Sequence, residues 1–177
     1  DRYKLLKHRL QNSDIRKVMD IKNNLNYWKE YYSGKGIFPP KASGSIEEIL
    51  LEERWNNLIS AIHSNGEVTK RNIEIKELEG EFYFGGNNLM LIEVGSLKYK
   101  TLMNGWLNHL YLSANSSFNS KTLIISKKTD YSGKIDFEVS KEILPINTQE
   151  AIKTLSKISL IAAAGRKNCW PIPPESG

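Results

Sequence analysis

The sequence predicts an α/β domain of the α+β kind: a mixed sheet flanked by helices in the order α-βββ-α-β, with an N-terminal helical extension. Three observations carry this. Leu89, Met90, Leu91, Ile92 and Val94 form a short apolar run bounded by turn residues, the mark of a buried strand. After Gly95, the residues Tyr99, Leu102, Met103, Trp106, Leu107, Leu110 and Tyr111 recur at spacings of three and four, which is one face of a helix. Before the run, Glu79-Gly80 and Gly86-Asn87-Asn88 cut the chain into strand-length pieces, because Gly and Asn accept turn conformations.

The elements follow in order. Tyr3, Leu5, Leu6 and Leu10 among charged residues make 1–12 helical, and Ser13 or Asp14 can cap a second helix through Ile15, Val18, Leu25, Trp28 and Tyr32. Ser33-Gly34-Lys35-Gly36 stops it, and Ile37-Phe38-Pro39-Pro40 is an extended linker, since proline lacks an amide donor. Ser45 with Glu48 has the capping-box pattern for a helix whose apolar face is Ile46, Ile49, Leu50, Trp55, Leu58, Ile59 and Ile62, ended by Gly66. Strands are expected over Val68–Leu78, Glu81–Gly85 and Leu89–Gly95, then the helix Tyr99–Ser113, a polar loop, and a hairpin of Lys121–Lys127 with Ile135–Val139 turning at Ser132-Gly133. Asn147 with Glu150 caps a last helix with Ala151, Ile152, Leu155, Ile158 and Ile161 on its apolar face, closed by Gly165. Two units are expected: an N-terminal helical segment, 1–36, and a sheet domain, 37–177.

The chain has 177 residues, enough for one domain with a core. Its 40% hydrophobic and 25% charged content is ordinary for a globular protein. The single cysteine, Cys169, excludes a disulfide framework and a cysteine-based zinc site. No leader and no apolar run of about 20 residues stands out, so a cytoplasmic protein without membrane contact is expected. The first residue is Asp1 rather than methionine, and a fragment of a longer chain is expected.

The net charge of +5 is unevenly placed. Between Ser96 and Lys128 stand Lys98, Lys100, Lys121, Lys127 and Lys128 with no acid, whereas 45–95 is acidic. The first suits contact with a polyanion such as DNA; the second suits a protein neighbour or a metal.

The α-βββ-α-β order is the topology of the restriction-endonuclease-like nucleases. Their chemistry needs carboxylates around Mg²⁺, which prefers hard oxygen ligands, and a lysine near the attacking water. In the PD-(D/E)xK pattern one acid lies on the middle strand and a (D/E)-x-K on the third. Here Glu93-Val94-Gly95 keeps the acid and lacks the amine, and Gly80-Glu81-Phe82-Tyr83 offers a phenol, Tyr83, where the first acid is expected. Tyr83, Glu93 and Gly95 therefore read as vestigial positions, with no catalytic residue, metal or cofactor expected. The active alternative needs Glu81 as a metal ligand and Lys98 or Lys100 reaching back. His8, His63 and His109 lie on separate helices without metal-ligand spacing, and His109 is expected to face solvent.

Four stretches in register resemble the C-terminal part of the RecC family, the gamma subunit of exodeoxyribonuclease V. They are Phe38–Ile46 at a helix entry, Asn88–Ser96 as a degenerate third strand, Trp106-Leu107-Asn108-His109-Leu110, and Ile172-Pro173-Pro174-Glu175-Ser176-Gly177. Ala42-Ser43-Gly44 departs from the family where an aromatic is usual. The resemblance implies an inactivated nuclease-like domain in an ATP-dependent helicase–nuclease of double-strand break repair and recombination. Its partners would be RecB-like and RecD-like subunits and double- and single-stranded DNA, with Lys98, Lys100, Lys121, Lys127 and Lys128 as DNA contacts. The alternatives are an active Mg²⁺-dependent DNA nuclease and a purely protein-binding module.

Overall fold

The apolar run at Leu89 becomes a strand, Asn88–Glu93, in the middle of a five-stranded sheet. The structure is a computed structural model and describes residues 2–12, 15–16, 30, 32–39, 42–75, 78–115, 118–129 and 134–168. Helices α1 (Arg2–Asn12) and α2 (Ala42–His63) precede strands β1 (Val68–Ile75), β2 (Leu78–Gly85) and β3 (Asn88–Glu93). Helix α3 (Tyr99–Asn115) leads to β4 (Thr122–Thr129), and β5 (Ile135–Ile143) and α4 (Thr148–Asn168) follow. Most of the expected second helix, the Ser132-Gly133 turn, Cys169 and the segment 172–177 lie outside the described residues.

Strand order is β1-β2-β3-β4-β5. β3 and β4 are parallel, Leu89 opposite Thr122 through Glu93 opposite Ser126, and the other neighbours are antiparallel. A parallel pair needs a crossover, and α3 provides it. Gly85 pairs with Asn88 across the turn at Gly86-Asn87, where Gly86 has φ +58, a conformation open to glycine. The expected α-βββ-α-β mixed sheet is thus present, and β5 with α4 completes it.

Side-chain alternation sorts the sheet into two faces. Met90, Val94, Val68, Ile125 and Phe137 pack with Trp55, Leu58, Ile59 and Ile62 of α2 and Leu6 of α1. Leu89 and Phe84 pack with Leu112 of α3, with Phe82, Leu91 and Phe118 around them. Two ion pairs join the first helices: Arg2 grips Glu47, and Arg9 NH1 stands 3.7 Å from Glu52 while its guanidinium lies 4.2 Å from the Trp55 ring centroid.

Several expectations for the helices are corrected. Ser45 and Glu48 do not cap α2, which starts at Ala42; Gly44 is buried against the Pro39 carbonyl, where a Cβ would collide, and Glu48 accepts a bond from the Ser33 hydroxyl at 3.4 Å. The buried face of α2 is Leu51, Trp55, Leu58, Ile59 and Ile62. Ile46 and Ile49 are exposed, because Ile46 precedes Trp55 by nine residues and so lies half a turn out of phase. Gly165 does not end α4, which continues to Asn168; Asn147 does cap it, accepting the Glu150 amide at 2.8 Å.

A further correction concerns α3. Its sheet-facing residues are Gly105, His109 and Leu112, whereas Met103 is exposed and Tyr99 is 88% exposed. Gly105 explains the rotation: a Cβ there would stand 3.0 Å from Ile124 Cδ1, so the bare backbone lies directly on β4. His109, expected in solvent, is buried; its Nδ1 lies 2.8 Å from Thr122 Oγ1 and its ring stands edge-on to Phe118. Burial holds its imidazole below the usual range, opposed by the backbone of Leu144. The unfolded chain therefore takes up this proton first as pH falls, near an ordinary pKa of about 6.5. Stability should be level above pH 7 and fall toward pH 5, and thermal melts of His109→Gln should show a smaller loss over that window than the wild type.

Candidate functional site

β3 ends opposite Ser126 while its parallel neighbour β4 runs on to Thr129, and open sheets place ligands near the carboxyl ends of such parallel strands. Glu93 is the last residue of β3. Alternation sets it on the Leu89–Leu91 face, beside the first turn of α3, where the helix dipole favours negative charge. Its Oε1 accepts the Gly95 amide at 3.1 Å and a long bond from the Tyr3 hydroxyl at 3.4 Å. Its Oε2 accepts the Thr101 hydroxyl at 2.8 Å. One carboxylate thereby brackets α1, β3 and α3 through neutral donors.

Gly95 stands where the motif lysine would be. A Cβ on Gly95 would lie 3.5 Å from Glu93 Oε1, so a side chain at 95 starts toward the acid. The same Cβ would be 2.9 Å from Tyr3 Cε2. The direction suits an amine, and the ring of Tyr3 holds the space. Lys98 is 5.2 Å from the centroid of that ring, a cation–π contact that engages the ammonium on Tyr3 rather than on Glu93.

The other acid position is on the wrong face. Tyr83 pairs with Met90 and packs with the α2 side, opposite to Glu93. Glu81 alternates with Tyr83 and is held by Lys70 of β1 at 2.7 Å, so the structure does not bring it to Glu93. On β2 the face shared with Glu93 carries Phe82 and Phe84. Among the described residues no three His, Cys, Asp or Glu side chains converge. One carboxylate with both oxygens engaged does not fit the Mg²⁺ site of an active nuclease of this topology.

A family model of the RecC C-terminal domain matches residues 1–177, the whole chain. The chain belongs to the RecC C-terminal domain family. A direct comparison with curated proteins finds no significant match. RecC is the gamma subunit of exodeoxyribonuclease V, and the setting of the family is DNA repair and recombination. No helix among the described residues is long and apolar enough to cross a membrane.

In this RecC domain the five lysines expected at DNA separate into two groups. Lys121 meets Glu142 at 2.8 Å and Lys128 meets Glu138 at 2.7 Å, both across the β4–β5 ladder. Glu138 raises the pKa of Lys128 through its hydrogen bond and charge. Lys98 and Lys100 flank the start of α3, and Lys127 lies on β4, where its amide donates to the Gly95 carbonyl at 2.9 Å. Lys100 and Lys127 have no acidic partner among the described residues. The sequence could not sort them, because the neutralising acids come from β5, which follows the lysine-rich stretch. Tyr3 was missed for a similar reason: it lies 90 positions from Glu93, and nothing local marks it.

Proposed function

We propose that this is a non-catalytic, DNA-contacting and scaffolding domain of an exodeoxyribonuclease V gamma subunit. The observation that carries the reading is the end of β3: Glu93 is bonded to Tyr3, Gly95 and Thr101, with Tyr3 in the space of a lysine. A hydrolytic site needs a clustered metal cage and an amine near the attacking water; this arrangement supplies neither, and a protein-bracing role for the carboxylate accounts for all its bonds. The working division keeps 1–36 as an N-terminal helical segment on a degenerate PD-(D/E)xK nuclease-like unit, 37–177.

DNA contact would come from Lys98, Lys100 and Lys127, with Lys121 and Lys128 weakened by their pairing to β5. Scaffolding would use α4, whose Ile152, Leu160 and Ile161 are exposed, with Leu144 before it. RecB-like and RecD-like subunits are the partners this reading assigns. Fluorescence anisotropy with a labelled duplex tests the DNA half. Three phosphate contacts give a slope of log affinity against log salt of about −3. Charge reversal of Lys100 and Lys127 should flatten it, and a duplex that does not bind even at low salt would remove DNA contact from the assignment.

A further inference from the structure

Helix α3 opens at Tyr99, 88% exposed, between Lys98 and Lys100. A single exposed aromatic is ordinary on its own. This one is set apart by its neighbours. Its ring is almost wholly in solvent, and the stretch 96–128 around it has no acid. Lys98 is engaged on Tyr3, and Lys100, next to Tyr99 in the chain, is exposed.

We propose that Tyr99 is a stacking post for an unpaired base of single-stranded DNA, with Lys100 on the adjoining phosphate. Every base offers a π-face to an aromatic side chain, whereas a base within duplex has both faces already stacked, so this pairing of ring and cation suits a separated strand. The proposal rests on the DNA-contact reading above and adds the state of the strand and the residue that holds it.

The test uses the 177-residue chain and a fluorescein-labelled oligothymidylate, with a blunt duplex of equal length for comparison. Tyr99→Ala should weaken oligothymidylate binding about tenfold with an unchanged salt slope, since stacking contributes about that much per base. Tyr99→Phe should restore it, which a hydrogen-bonding role of the hydroxyl would not allow. Lys100→Ala should flatten the salt slope by about 0.7, and duplex binding should be unaffected by Tyr99→Ala. Oligothymidylate affinity equal in wild type and Tyr99→Ala would overturn the stacking post and leave the DNA-contact reading standing. A wild type that binds neither DNA would overturn both.

Discussion

Arg9→Ala is expected to cost about 3 kcal/mol of folding stability, measured by urea denaturation of the variant beside the wild type. Arg9 is buried between two helices, and burial pushes its guanidinium pKa down to about 10, opposed by the charges of Glu52 and Tyr32. It remains a cation at neutral pH, so its removal leaves Glu52 with a charge in a mostly enclosed position and strips the Trp55 ring of its covering. Both losses fall on the contact that seats α1 on α2. The double change Arg9→Met, Glu52→Leu should recover most of the loss, because apolar side chains of similar volume can replace a buried pair at little net cost. A full 3 kcal/mol loss in the double variant would show that shape, not charge, holds the helices together.

Gly95→Lys is the second large effect. The motif is rebuilt on paper, and the ring of Tyr3 prevents it in three dimensions. A Cβ at 2.9 Å from Tyr3 Cε2 forces the ring away from Glu93, and overpacking of this kind costs about 1–3 kcal/mol. The loss should be much smaller in the background of Tyr3→Ala, giving a strongly non-additive double-mutant cycle, as neighbours that share one space do. Additive losses would mean that Tyr3 and residue 95 do not compete.

The stretch from Leu89 to Asn115 was legible because its information is local. A five-residue apolar run and a three-four spacing mark strand and helix without reference to anything distant, and they place β3 and α3 correctly. The rotation of α3 was not legible. Its bulky residues define one face, and the small one, Gly105, decides which face meets the sheet; burial of His109 follows from that contact. The acid-free lysine stretch implies one positive face, and cross-strand pairing with Glu138 and Glu142 removes two of its five members. Ionic partners on an antiparallel neighbour depend on register, which spacing alone does not provide. At the end of β3 the sequence showed what was missing beside Glu93, and the structure adds what fills the gap.

The central claim is that the Glu93 site braces the fold and does not hydrolyse DNA. The direct measurement is cleavage of linear duplex and single-stranded DNA by the purified chain with Mg²⁺ and with Mn²⁺, beside Glu93→Ala. No cleavage by either protein, together with a lower melting temperature for Glu93→Ala, is the expected result. Metal-dependent cleavage by the wild type that disappears in Glu93→Ala would contradict it.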